Sequence, residues 1–114
     1  MTDSILDTIK KMLGVDSSYD AFDIDIITHI NSVFMNLFQI GVGPITPFSI
    51  KDNKTKWSDF IGEDNSKYEA IKSYIYFKVR LAFDPPTSSF VLDSIKQQIA
   101  ELEWRLNMQS EEFK

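Results

Sequence analysis

One hundred and fourteen residues, 43% apolar and 25% charged, describe one soluble globular domain large enough to hold its own core. There is no cysteine and one histidine, His29, which excludes disulfide frameworks, thiolate zinc sites, iron–sulfur clusters, cysteine nucleophiles and His-rich metal sites. A net charge of −5 and a pI near 4.7 argue against a duplex-binding footprint and against adhesion to an anionic membrane. Every apolar run is broken before about 18 residues, too soon to span a bilayer. Met1-Thr2-Asp3-Ser4 lacks the basic start of a signal peptide, so an intracellular chain is expected.

Four helices are expected in chain order. The first covers Ser4 to Leu13, where Ile5, Leu6, Ile9, Met12 and Leu13 recur at helical spacing. Thr2 or Asp3 can cap it and Gly14 can end it. A polar connection, Val15 to Tyr19, follows. The second helix covers Ala21 to Ile40, with Phe22, Ile26, Ile27, Ile30, Val33, Phe34, Leu37 and Phe38 at steps of three and four. Asp20, Asp23 and Asp25 suit the positive end of its dipole, and Gly41 is its stop. Ile24 and Ile40 widen the apolar stripe, which points to a central helix contacted on more than one side.

Gly41 to Gly62 breaks the pattern. Gly41, Gly43, Pro44 and Pro47 exclude a continuing helix, and the alternation Phe48-Ser49-Ile50-Lys51 suggests a small β-hairpin. Seven apolar side chains make the segment too apolar for a free linker, so it either folds over the helices or meets another subunit. The third helix covers Ser66 to Phe83, capped by Asn65 or Ser66, with Glu69 completing a capping box. Asp84-Pro85-Pro86 stops it. The fourth covers Phe90 to Met108, capped by Ser88 or Ser89, with a heptad-like seam of Leu92, Ile95, Ile99, Leu102 and Leu106. Gln109 to Lys114 reads as a flexible polar tail. About three-fifths of the chain is then helical, well above the usual third. The fold class is mainly α: a small bundle of about four helices, with a Gly/Pro-rich loop or short hairpin between the second and third.

Chemistry is sought without a find. Gly41-Val42-Gly43 follows a helix and lacks the third glycine of a dinucleotide site. His29 sits inside a helix with no strand–turn–helix elbow near it, and a half-buried structural histidine is the better reading. Asp20, Asp23 and Asp25 lack the glycine and terminal glutamate of a calcium loop. Glu101 and Glu103 point in different directions on a helix. Lys51, Lys54 and Lys56 are interleaved with Asp52, Asp59, Glu63 and Asp64, as in a solvated loop. No catalytic residue, cofactor or metal ligand is assigned. Elimination favours an interaction or structural protein over an enzyme.

The second half carries a more specific pattern. The run from Ile71 to Phe83 leads into Asp84-Pro85-Pro86, then Thr87-Ser88-Ser89-Phe90-Val91-Leu92, and closes with Glu101-Leu102-Glu103-Trp104-Arg105-Leu106-Asn107. This resembles the small head–tail connector (adaptor) proteins of long-tailed bacteriophages, particularly those of Gram-positive hosts. The match is strongest over Ile71–Asn107, and the whole length fits.

The resemblance implies a structural virion protein, not an enzyme. Such proteins form a ring, usually a dodecamer, beneath the portal. The ring extends the DNA channel, helps retain the genome and docks the next neck or tail-completion protein. It implies assembly in the host cytoplasm and DNA that passes without specific binding, which the acidic balance suits. A closed ring needs two different complementary faces. The candidates are Tyr68, Tyr76 and Phe83 on the third helix, and Phe48, Trp57 and Phe60 in the loop segment. The family's C-terminal tail commonly reaches the portal, here Met108, Gln109, Ser110, Glu111, Glu112, Phe113 and Lys114. The alternative is a small helical regulatory or DNA-packaging factor that contacts nucleic acid through a basic face hidden in the linear sequence.

Overall fold

The computed structural model describes residues 3–62 and 66–112. Its helices are α1 (Ile5–Met12), α2 (Asp23–Gln39), α3 (Trp57–Ile61), α4 (Tyr68–Phe83) and α5 (Ser89–Glu112). The protein is mainly α, as expected, but α3 is an addition inside the Gly41–Gly62 segment.

Helix ends follow local chemistry. Ser4 caps α1, its Oγ accepting the Asp7 N–H at 3.2 Å. The cap is therefore neither Asp3 nor Thr2, which lies outside the described residues. Both glycine stops are Schellman turns. Val15 N–H donates to Lys10 O and Gly14 N–H to Lys11 O, while Val42 N–H donates to Leu37 O and Gly41 N–H to Phe38 O. Gly14 and Gly41 take φ of 81° and 83°, the left-handed region these turns require. α2 begins at Asp23 rather than Ala21, with Asp23 and Asp25 in its first turn and Asp20 outside it. Lys67 holds the cap position of α4, so the Ser66–Glu69 capping box is displaced, and Asn65 lies outside the described residues. Asp84 leaves the helical region at φ −148°, ψ 70°, as Pro85 demands. Ser88 caps α5, its Oγ accepting from Val91 N–H at 3.4 Å. α5 continues past Met108 to Glu112, since Gln109-Ser110-Glu111-Glu112 contains no glycine or proline to stop it.

Of the loop and the short hairpin offered for this segment, the hairpin does not form: the described residues contain no strand, only an isolated bridge between Ser4 and Lys56. Asn31 explains the difference. Its side-chain amide donates to Ile50 O at 2.9 Å and its carbonyl accepts Ile50 N–H at 2.8 Å. One α2 side chain thus satisfies the backbone groups that a partner strand would have used. Further on, Ile5 N–H donates to Thr55 O and Trp57 N–H to Asp3 O, tying the segment to the start of α1. The Asp59 carboxylate then accepts Lys56 N–H at 2.8 Å and nucleates α3.

α4, not α2, is the central helix. It contacts α1, α2 and α5, and buries Ile71, Tyr74, Ile75 and Val79. α2 lies across it antiparallel: Phe22 at the start of α2 meets Phe83 at the end of α4. The α2 stripe of Ile26, Ile30, Val33, Phe34 and Leu37 is buried as spaced, but Ile24 is 80% exposed and does not widen it. α5 docks along α4 through its seam, with Ile95 and Leu106 buried and Leu92, Ile99 and Leu102 half-buried.

One polar side chain belongs to this interior. Lys10 is 1% exposed. Its Nζ donates to Ser17 O at 3.1 Å and Tyr19 O at 2.8 Å and pairs with Asp23 Oδ1 at 2.8 Å. The α1–α2 connection is therefore wrapped around a buried ammonium held by two carbonyls and paired with one carboxylate.

Leu106→Ala should cost about 2–5 kcal/mol, Leu102→Ala less, and Glu101→Ala under about 0.5 kcal/mol. Denaturant melts rank the three, and equal losses would mean that α5 packs through another face. Lys10→Ala should cost about 3–5 kcal/mol by stranding Asp23 and two carbonyls. A melting temperature unchanged by that substitution would contradict the buried-ammonium account.

Candidate interaction surfaces

The residues that could have carried chemistry are committed elsewhere. Asp23 is paired with Lys10. The Asp16 carboxylate accepts the Ser18 hydroxyl at 2.7 Å and the Ser18 N–H at 2.8 Å, which holds its carboxyl below the usual range. Glu101 pairs with Arg105, while Glu103 accepts from Tyr74, two different sides of α5 as helix geometry requires. Among the described residues no group of three or more His, Asp or Glu could hold a metal ion. Lys51, Lys54 and Lys56 are exposed, as in a solvated loop; Glu63 and Asp64 lie outside the described residues.

The six aromatic interface candidates divide by burial. Trp57 is 0% and Phe60 5% exposed. Trp57 Nε1 donates to Thr8 Oγ1 at 3.1 Å, so its one polar group is satisfied inside the chain. Phe48, Phe60 and Phe34 form a cluster with centroids 4.7–5.1 Å apart. Gly43 crosses this cluster where a Cβ would lie 2.5 Å from the Phe60 ring. Phe48, Trp57 and Phe60 therefore hold the loop segment onto the helices. Tyr68 packs edge-on against Trp57 under Lys72. Tyr76 accepts from Arg80 at 3.2 Å and leans on Phe77. Phe83 meets Phe22 at the surface. Tyr68, Tyr76 and Phe83 keep part of their area in solvent.

The largest exposed apolar groups are elsewhere. Phe90 is 83%, Trp104 64% and Met108 41% exposed. At 100° per residue they share one side of α5, opposite the Leu92–Leu106 seam. Trp104 and Met108 are one turn apart. Ile45, in Pro44-Ile45-Thr46-Pro47, is 97% exposed. The α5 group was legible in principle, because Phe90, Trp104 and Met108 each sit two residues from a seam position and so about 200° round the helix from it. The side chains of Gln109, Ser110, Glu111 and Glu112, and all of Phe113 and Lys114, lie outside the described residues.

What aims this outer face is a polar pair. The hydroxyl of fully buried Tyr74 donates to Glu103 Oε2 at 2.8 Å, locking the register of α5 on α4. Burial, then the hydrogen bond to Glu103 and its charge, raise the Tyr74 phenol well above its ordinary value.

The described residues thus form a helical module with a filled core and several apolar groups left on its surface. The chain matches the family model described as phage connector protein over residues 5–113, nearly its whole length, and belongs to the phage head–tail connector family. The family is one of structural proteins, which makes this chain a virion component. Neither a search of the curated proteins nor one of the solved structures found a match. Among the described residues no helix is long and apolar enough to cross a membrane.

Tyr74→Phe should cost about 1 kcal/mol near neutral pH, since Glu103 regains water. The folded phenol holds its proton more tightly than the unfolded one. Its contribution is therefore complete below about pH 10 and is lost as pH rises further. Urea melts of both proteins from pH 7 to about 11 should converge at the alkaline end. A constant gap would refute the Tyr74–Glu103 linkage.

Proposed function

We propose that this connector assembles as a closed ring beneath the portal, extends the DNA channel, helps retain the packaged genome and offers a docking surface to the next neck or tail-completion protein. The observation that carries the reading is the family match over residues 5–113. The net charge of −5 supports it, because a channel that DNA must slide through should not grip phosphates. The C-terminal end of α5 is the proposed portal contact. Trp104 and Met108 present apolar area on its outer face, and the helix continues to Glu112. Assembly takes place in the host bacterial cytoplasm and the ring sits at the head–tail interface. The other reading, a DNA-contacting factor, has among the described residues the exposed Lys51, Lys54 and Lys56 in its favour, with Asp52 and Asp59 among them.

Electron microscopy of the purified protein, alone and with its portal, tests the ring directly. Deleting residues 109–114 should leave the circular dichroism nearly unchanged, because the last seam residue, Leu106, is retained, and should weaken a portal pull-down. Trp104→Ala should shift stability by no more than about 0.5 kcal/mol while also weakening docking. Full docking by both variants would remove α5 from the portal contact. Tight duplex binding by the full chain at about 150 mM salt would promote the DNA-contacting reading instead.

A further inference from the structure

The strand-like alternation in the loop after α2 persists in the structure without a strand to pair with. Phe48 is half-buried, Ser49 exposed, Ile50 buried and Lys51 exposed, so side chains alternate in and out along 48–51. Phe48 packs on Phe34 and Phe60, and Ile50 is 3% exposed. One edge of the segment is paired, because Asn31 takes both the N–H and the C=O of Ile50. In extended backbone the flanking residues turn their polar groups to the opposite edge. There the N–H and C=O of Ser49 and the N–H of Lys51 have no partner among the described residues. Both residues are exposed, so this edge opens to solvent.

A loose loop would leave such groups to water, but this segment is already ordered. Pro47 fixes φ at its start, and two apolar side chains root it in the core. Asn31 clamps its centre, and the turn that follows is closed by the Asp52 carboxylate, which accepts Lys54 N–H at 2.9 Å. An extended peptide laid along the edge would therefore meet a backbone whose freedom is spent, and only the peptide would lose entropy. The ends of the edge say which peptide fits. Pro47 and Lys51 are the residue types that keep a strand edge from pairing with its own copy. In a self-pair Pro47 would lie across from Lys51 with no N–H to give. Such a pair is also two-fold and cannot repeat round a ring.

We propose that this edge receives an extended segment of a partner protein as an added strand. Ser49 exchanges both backbone hydrogen bonds with one partner residue, Lys51 N–H donates a third, and the Lys51 ammonium meets a carboxylate on the partner. The inference rests on the reading that the connector docks a next neck or tail-completion protein, and it names how a segment of that protein is held. The edge lies in the loop after α2 and is separate from the portal contact placed on α5.

The probe is a synthetic hexapeptide of alternating Thr and Val carrying one Glu, with a twin N-methylated on the face that would meet the edge. Titrated into isotope-labelled protein, the plain peptide should shift the amide resonances of Ser49 and Lys51, and the twin should leave them in place. Ser49→Pro removes an N–H that the fold does not use, while Ser49→Ala keeps it, and circular dichroism checks both variants. Affinity should fall at least about tenfold in the first and stay within about twofold in the second. No shift up to about 5 mM peptide, equal shifts from both peptides, or unchanged binding by Ser49→Pro would overturn the edge. So would a dimer of the free chain that Ser49→Pro dissolves, which would make a second copy the occupant. On portal-bound connector, Ser49→Pro should block uptake of the next neck protein and Ser49→Ala should permit it. Uptake untouched by Ser49→Pro would overturn the proposal and leave docking at another surface. A natural-sequence connector that takes up no neck protein would overturn the docking reading itself, whatever the peptide shows.

Discussion

The structure depends on α4 having three neighbours. A 16-residue helix offers a limited perimeter, and α1, α2 and α5 all take a share of it. Ile71, Tyr74, Ile75 and Val79 fill the space between them, so the core of the protein is the surface of one helix. Burying these four side chains is worth several kcal/mol, comparable with the whole net stability of a small domain. Away from that helix, exposed apolar groups lie at the periphery: the outer side of α5, Phe22 beside Phe83, and Ile45.

Polar tethers decide how the peripheral parts are held. Asn31 fastens an extended segment to α2 through both backbone groups of Ile50. Lys10 gathers the α1–α2 connection around its ammonium, and Tyr74 reaches Glu103 to set α5. Trp57 is tied to Thr8. Each holds a polar atom to a partner on another segment, so a shifted packing would strand it at a cost of about 1–3 kcal/mol. These contacts add modest net stability but penalise alternatives, and they fix which apolar groups remain outside. Ile45 projects because Gly43 and Val42 are pinned beneath it. Trp104 projects because Glu103, one residue earlier, is turned to Tyr74.

The amphipathic periodicity of α1, α2 and α5 was legible, because a stripe at steps of three and four has one plausible use in water. Gly14, Gly41 and Asp84-Pro85-Pro86 announced their stops by backbone chemistry alone. The family pattern around Phe83–Pro86 was equally local, and the match over residues 5–113 agrees with it. Loop and hairpin stay undecided at the sequence level because alternation in Phe48–Lys51 looks the same whether the backbone pairs with a strand or with an asparagine side chain. The short α3 was missed because five residues carry too little periodicity to detect.

Helix content, the glycine and proline stops, the acidic balance and family membership were thus settled by the linear sequence, since each depends on neighbours within a turn or on composition. Burial depends on residues far apart in the chain, and only the tertiary structure decided it. Trp57 and Phe60 look like interface aromatics in a loop until α1, α2 and α4 close over them. Ile45 looks like core until no described element comes to cover it. An aromatic ring or a branched aliphatic has the same wish to leave water in either place. Whether its own chain or another molecule satisfies it is set by the packing geometry of the whole fold.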